Sequence, residues 1–178
     1  MILEIQCGDD RFRPQKDEYG ERLISSLIDR LTPPSPRHPG DELWFSMRDE
    51  DSGQAVSFLR VAVNNATGYG ALIWSPNGTA WKTGGIYDSV WISNADKAPD
   101  GDPELVSDPG YPLYHDPASA IPKSLAREAI SEYFDSGTGE RPECISWTRG
   151  EMNGQRADRP PIVQDVTDLE PDWDSFGK

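Results

Sequence analysis

The stretch IPKSLAREAISEYFDSGTGERPECISW, residues 121–147, decides the fold of this 178-residue chain. Pro122 suits a first helical turn, and apolar residues recur beyond it at the spacing of an amphipathic helix. The predicted apolar face comprises Leu125, Ala126, Ala129, Ile130, Tyr133 and Phe134. Gly137 and Gly139 predict the end of the helix, because glycine enters the left-handed conformation at little cost. A turn and a short strand over residues 144–147 should then pack against the helix.

The preceding sequence predicts one further helix and a series of strands. Leucine and isoleucine recur at helical spacing over residues 19–31, and the prolines that follow stop this helix. Residues 8–17 and residues 94–117 predict loops, the second of them long and acidic. Strands are predicted at residues 2–7, 42–47, 54–64 and 69–74, with weaker ones at 81–83 and 90–93. This order indicates an α+β fold, in which an antiparallel sheet carries two helices packed on one face, with long acidic loops.

The length of the chain suits one domain with a tail. We predict a single α+β domain over residues 1–150 and an acidic C-terminal extension over residues 151–178. Period-two alternation in the longest predicted strand divides its residues between two faces of the sheet. Leu59, Val61 and Val63 should point to one face, and Phe58, Arg60 and Ala62 to the other.

The net charge of −14, from 31 acidic and 17 basic residues, argues against direct nucleic-acid binding, which needs basic residues to neutralise phosphates. Two explanations of the charge stay open: ordinary solubility, or steering toward a basic partner. No apolar run approaches the length of a membrane span, and no basic region precedes an apolar stretch at the N-terminus. Cys7 and Cys144 match no metal motif and are predicted as small buried residues in strands. We therefore expect a cytoplasmic protein that does not contact a membrane.

No group of residues at catalytic or metal-binding spacing stands out. His38 and His115 lie beside prolines in predicted loops, without cysteine or carboxylate at ligand spacing. The run DGDPE, residues 100–104, resembles the opening of a calcium loop but lacks its sixth-position glycine and twelfth-position glutamate. Cys144 has no neighbouring histidine in the sequence that would activate it as a nucleophile. We therefore expect no enzymatic activity, no metal and no cofactor.

Several motifs resemble the Immunity protein 1 family, the cytoplasmic antidotes encoded beside bacterial polymorphic toxins. They are YGALI at residues 69–73, the proline-started helix from residue 121, and the Gly-x-Arg-Pro turn at residues 139–142, which leads to Ile145-x-Trp147. The resemblance covers residues 42–147 and is most specific in its last third. One departure is the longer link between the helix and the Arg-Pro pair.

The resemblance implies an α+β fold, no enzymatic activity and tight binding to a toxin domain, frequently a nucleic-acid deaminase or a nuclease. Such a toxin must carry a basic substrate surface, which an acidic antidote can cover in a 1:1 complex. Arg141, Pro142 and Trp147 are predicted to belong to the scaffold, as a turn and a core aromatic residue. Two other hypotheses stay open: a hydrolase with an acid–base or metal site among the acidic loops, and an acidic adaptor without a toxin.

The segment around the glycine pair at residues 84–85 is the predicted contact surface for the partner. Aromatic residues beside acids are the usual anchors of tight interfaces, and the acidic loop that follows could steer association. The predicted partner-binding residues are Trp81, Tyr87, Asp88, Trp91, Asp96, Asp100, Asp102, Glu104 and Asp108. We favour them over the C-terminal segment around Trp173. The alternative is that one or two of these aromatic residues only close the edge of the core.

Overall fold

The computed structural model describes residues 1–33, 35, 40–78, 82–108 and 113–160. Within them, eight strands form one sheet in which all the pairings are antiparallel. These strands are β1 (Ile2–Cys7), β2 (Asp10–Phe12), β3 (Glu42–Arg48), β4 (Ala55–Asn64), β5 (Tyr69–Pro76), β6 (Val90–Asn94), β9 (Ile121–Pro122) and β10 (Ser146–Gly150). They pair in the order β10–β6–β5–β4–β3–β1–β2, and β9 pairs with the beginning of β5. A second, two-stranded sheet consists of β7 (Val106–Asp108) and β8 (Leu113–Tyr114).

The helices α1 (Glu18–Asp29) and α2 (Lys123–Ser136) both contribute to a core on one face of the large sheet. Asp17 caps α1 by accepting a hydrogen bond from the backbone N–H of Gly20 at 2.8 Å. Gly137 ends α2 in the left-handed conformation, as its position in the sequence predicts. The structure therefore confirms the α+β class, with two helices packed on an antiparallel sheet.

The two faces of β4 separate the main core from a second buried layer. Leu59, Val61 and Val63 join the core beneath the helices, as the alternation predicts. On the opposite face, Ala62 packs in a small cluster with Leu105 and two further alanines. Full burial of a Leu or Ile side chain stabilises the folded state by roughly 1.5–3 kcal/mol. The helix-covered face, with far more such side chains, therefore supplies most of the hydrophobic stabilisation.

Three predicted loops or strands differ in the structure. Residues 8–17, predicted as a loop, contain β2, which forms a hairpin with β1 through a two-residue turn at Gly8 (φ +57°). Residues 94–117 contain β7 and β8, and a 3₁₀ turn, Pro117–Ser119, begins at their end, so the predicted long acidic loop is partly ordered by strand pairing. Lys82 and Thr83 lie outside any strand, contrary to the prediction for residues 81–83. Trp81 lies outside the described residues.

The segment after α2 also departs from its predicted form. The strand predicted from residue 144 begins at Ser146, and Cys144 is an exposed free thiol rather than a buried one. The reason is that the Glu132 carboxylate accepts the backbone N–H groups of Glu143 (2.8 Å) and Cys144 (3.0 Å). These bonds attach the backbone to α2 and keep it out of the sheet. Cys7 is a half-buried free thiol within β1, so its predicted strand is confirmed but not its full burial.

Candidate functional site

The carbonyl of Gly139 fixes the segment that follows α2. It accepts a hydrogen bond from Trp74 Nε1 at 3.1 Å and another from the Ser57 hydroxyl at 2.6 Å. The same hydroxyl lies 2.8 Å from the hydroxyl of Tyr133 on α2. All four residues are buried, so these hydrogen bonds satisfy polar groups that would otherwise destabilise the core. They set the position from which the Arg-Pro turn projects.

Arg141 lies over two tryptophan rings on the helix-covered side of the sheet. Its guanidinium carbon is 4.3 Å from the Trp91 ring centroid and 5.8 Å from that of Trp147, both within cation–π range. Arg149 approaches the Trp91 ring as well, at 5.7 Å. Trp147 Nε1 donates to the carbonyl of Pro142 at 2.7 Å, which holds the Arg-Pro turn against β10. We call Trp91, Arg141, Trp147 and Arg149 the arginine–tryptophan stack.

Desolvation in the arginine–tryptophan stack lowers the pKa of Arg141 from its usual value, although the group stays charged at neutral pH. Trp147 is half-buried and packs against the core. The Trp147 ring therefore lies at the margin of the core, where it makes one hydrogen bond and one cation–π contact.

Tyr87 lies in a 3₁₀ turn, Gly85–Asp88, and is half-buried against the core. Its ring meets that of Trp74 edge to face, with centroids 6.3 Å apart. Its hydroxyl donates to a Glu140 carboxylate oxygen at 2.7 Å, and this bond raises the pKa of Tyr87. Glu140 also pairs with Lys82, whose ammonium lies 5.3 Å from the Tyr87 ring centroid.

The other two predicted residues near this turn behave differently. Asp88 is exposed and accepts the N–H of Gly84 at 2.7 Å, which closes the turn. Trp91 is half-buried, and its Nε1 donates to the carbonyl of Ile86 at 2.7 Å. Both aromatic residues, Tyr87 and Trp91, thus have internal partners for their polar atoms. Their contact with a partner protein stays a prediction.

The predicted acidic residues are spread between one edge of the large sheet and the face of that sheet that the helices do not cover. Asp100 is 93% exposed and pairs with Lys97 at 3.3 Å. Asp102 accepts the backbone N–H of Glu104 at 2.8 Å, and Glu104 itself has a left-handed backbone (φ +48°). Asp108 is half-buried at the end of β7. Between them, Leu105 is buried against the face of the sheet away from the helices.

The structure thus divides the predicted contact residues between two faces. Tyr87 and Trp91 lie on the helix-covered face, whereas Asp102 lines a pocket together with His115 and Arg156 on the other side. Asp96 lies at the edge between these regions, in a groove beside α2.

A buried polar network lies on the opposite face. Arg60 bonds the Glu42 carboxylate at 2.5 Å and the carbonyls of Met152 and Ser107. His115 is buried near this guanidinium, and desolvation together with the charge of Arg60 lowers its pKa to about 3. The imidazole is therefore neutral at pH 7. One indication of this network is present in the sequence, Arg60, which is the one charged residue in β4.

Residues 150–160 close over that network. Arg156 is buried and bonds the side chains of Asn94 and Asp158, each at 2.8 Å. Gly154 lies so close to Ser107 that a Cβ there would stand 2.5 Å from the serine Cβ. Residues 152–156 thus pack over this face of the sheet, whereas residues 161–178 lie outside the described structure. The domain boundary proposed at residue 150 stays a prediction.

A groove of about 410 Å³ opens beside the N-terminal half of α2. Three segments that are distant in the sequence line it: residues 94–97, residues 121–125 and residues 143–146. Leu125 stands on its wall and is 38% exposed, although the helical pattern predicts that it is buried with the rest of its face. We call this feature the α2 groove. No sequence signal indicated it, because its walls meet only through the tertiary fold.

Metal binding and membrane crossing find no support among the described residues. Within the described ranges 1–33, 35, 40–78, 82–108 and 113–160, no three His, Cys, Asp or Glu side chains cluster closely enough to hold a metal ion. None of the helices described is both long and apolar enough to cross a membrane.

The geometry defines a small α+β protein whose surface offers a groove and an arginine–tryptophan stack beside a two-helix core. Residues 22–149, more than half of the chain, match the sequence profile of the immunity protein Imm1 family. The chain belongs to this family, which confirms the resemblance inferred from its motifs, and the match begins earlier than the resemblance did, within α1. No curated protein matches the chain.

Proposed function

We propose that this protein is a cytoplasmic immunity protein that binds one cognate toxin domain in a 1:1 complex and thereby neutralises it. Membership of the Imm1 family, over residues 22–149, is the observation that carries this proposal. The family implies a toxin as partner and an inhibitory rather than an enzymatic role. It therefore favours this function over the hydrolase and the toxin-free adaptor that the sequence left open.

The toxin we propose is a DNA-acting deaminase or nuclease with a basic active-site surface. The net charge of −14 supports this choice, because an enzyme that holds DNA needs a positive surface, to which an acidic protein is complementary. Covering that surface would exclude the nucleic acid and so stop the reaction without any chemistry by the inhibitor. Neither a cofactor nor direct nucleic-acid binding enters this mechanism.

The proposed contact surface contains the residues predicted from the sequence between positions 81 and 108. Exposed Asp88, Asp96, Asp100, Asp102 and Glu104 supply negative charge that faces solvent. Tyr87 and Trp91 would contribute the exposed parts of their rings. Trp81 belongs to the proposed set, but it lies outside the described residues.

Calorimetry against the toxin domain encoded directly upstream, inactivated in its own active site, tests the proposal. We expect a 1:1 stoichiometry, a nanomolar or lower Kd, and an interface of roughly 1,200–2,000 Å². The strong binding is expected because a single unbound toxin molecule can damage the cell that makes it. Micromolar affinity, or no binding, would contradict the proposed function. Co-expression with the active toxin gives the matching cellular measurement, in which the wild-type protein should preserve growth.

A further inference from the structure

The α2 groove has an apolar wall at a position where a helix normally buries its apolar face. Along α2, Ala126, Ala129, Ile130 and Phe134 are at most 2% exposed. Leu125 continues the same apolar pattern, yet it leaves 38% of its surface exposed in the groove. Ile121 and Ile145, which are buried, extend the apolar lining on either side. The groove thus presents a hydrophobic surface that the described part of the chain leaves accessible.

The rim of the α2 groove is negatively charged. Asp96 and Glu143 line it and are exposed. Among the described residues that line it, Lys97 carries a positive charge, and it pairs with Asp100 outside the groove at 3.3 Å.

The pKa of the Cys144 thiol, which lines the groove, is raised by its surroundings. Partial burial is the largest cause that raises the pKa of this thiol to about 12, and the carboxylates of Glu132 and Glu128 on α2 add to it. The two carboxylates add to the effect of burial, so negative charge is disfavoured beside this thiol.

We propose that the α2 groove receives a lysine or arginine side chain from a basic loop of the toxin domain. Its aliphatic stem would lie on Leu125 and Ile145, while its cation would reach the carboxylates of Asp96 and Glu143. Long basic side chains combine these two properties, since their methylene groups cover apolar surface and their charged ends stay polar. The volume of about 410 Å³ accommodates such a side chain with part of its backbone. This inference rests on the proposed function and adds the α2 groove, which shares Asp96 with the predicted residues, to the proposed contact surface.

Alkylation of Cys144 tests the proposal directly, because this thiol lies in the groove. The wild-type protein is treated at mildly alkaline pH with N-ethylmaleimide, which reacts fast enough with the small thiolate fraction that the raised pKa values of both cysteines leave. The reaction is run on the protein alone and on its complex with the inactivated upstream toxin domain, and the modification of each cysteine is followed by mass spectrometry. Cys7, a half-buried thiol in β1, lies outside the groove and serves as the internal control. We expect the complex to slow modification of Cys144 at least tenfold and to leave Cys7 unchanged. Unchanged reactivity of Cys144 in a complex that has formed would overturn the proposal.

Binding constants of two variants provide a second measurement. Leu125→Ala should weaken binding about fivefold or more, the threshold at which a contact counts as energetically important. The double variant Asp96→Asn with Glu143→Gln should weaken binding about tenfold, as expected for charged contacts in an interface. Its matched control is Asp9→Asn with Asp51→Asn, which removes the same charge from exposed positions outside the groove and should retain wild-type affinity.

The outcomes separate this inference from the proposed function. If the groove variants and their control bind alike, and all remain folded, the toxin contacts another surface and the groove proposal is wrong. If the wild-type protein fails to bind the upstream domain at all, the proposed function is rejected, and this inference with it.

Discussion

Gly139 adopts a backbone conformation that a side chain would strain, at a point where neighbouring atoms leave no room. Its φ is +78°, and an added Cβ would lie 2.7 Å from Ser57 Oγ and 3.0 Å from Val56 Cγ2. A left-handed conformation costs a non-glycine residue about 1–2 kcal/mol, and overpacking adds roughly 1–3 kcal/mol. We therefore expect Gly139→Ala to lower the free energy of unfolding by roughly 2–5 kcal/mol, measured by urea denaturation.

Gly53→Ala is the matched control for this substitution. Gly53 has a similar φ of +68°, but an added Cβ would meet no atom within 4 Å. Its substitution should cost only the backbone term, roughly 1–2 kcal/mol. Equal losses for the two variants would show that the close approach of Gly139 to β4 contributes nothing to stability.

At the level of single residues, the sequence predicted backbone conformation better than it predicted the burial and the contacts of side chains. Gly137 could be placed at the end of α2, because left-handed caps follow from local chemistry. The exposure of Cys144 could not be predicted, because its position depends on the Glu132 carboxylate. This carboxylate accepts hydrogen bonds from the backbone N–H groups of Glu143 and Cys144. Arg141 was predicted to lie in a turn, and the structure places it in the irregular segment between α2 and β10. Its two tryptophan partners come from β6 and β10. Contacts of that kind are tertiary, and no local pattern encodes them.

At the level of elements, α2 carries apolar residues in two environments: some are buried in the core, and one lies exposed in the α2 groove. Ile130 is 1% exposed in the core, whereas Leu125 is 38% exposed in the α2 groove. Removing a buried Ile or Leu side chain costs roughly 2–5 kcal/mol, because the transfer free energy is lost and a cavity remains. We expect that loss for Ile130→Ala and less than about 1 kcal/mol for Leu125→Ala, where solvent already reaches the site.

Denaturant unfolding of these two variants, monitored by tryptophan fluorescence, measures both losses on one helix. Circular dichroism of the native state checks that α2 is retained in each. A destabilisation by Leu125→Ala as large as that by Ile130→Ala would mean that Leu125 belongs to the core. In that case its substitution could no longer separate binding from stability.

The strands were predictable to the extent that they alternate or are strongly apolar. β1, β3, β4, β5 and β6 were found within about one or two residues of their bounds, because buried strands carry a dense apolar signal. β2 was missed, since Asp10–Phe12 is short and polar and becomes a strand by pairing with β1. The α2 groove was missed for a related reason: three distant segments form it, and sequence periodicity reports only neighbours.

At the level of the whole molecule, the charge of −14 is distributed so that exposed carboxylates are available for long-range attraction. Asp100, Asp102 and Glu104 face solvent on the segment between β6 and β7. Screening limits such attraction to about one Debye length, about 8 Å at physiological salt. The charge should therefore affect the rate of association more than the lifetime of the complex.

We expect the association rate constant with the toxin domain to approach ~10⁸ M⁻¹s⁻¹ at low salt and to fall as salt increases.

Neutralising Asp100, Asp102, Glu104 and Asp108 together, as Asn or Gln, should slow association severalfold, with a smaller change in the dissociation rate. The matched control neutralises Asp9, Asp10, Glu21 and Asp51, four exposed acids elsewhere on the surface. It makes the same change in net charge, so any larger effect of the first set must come from its location. Stopped-flow fluorescence over a range of salt concentrations gives both rate constants. If the two quadruple variants slow association equally, steering depends on net charge alone. If the association rate constant changes neither with salt nor in either variant, the acidic surface serves solubility.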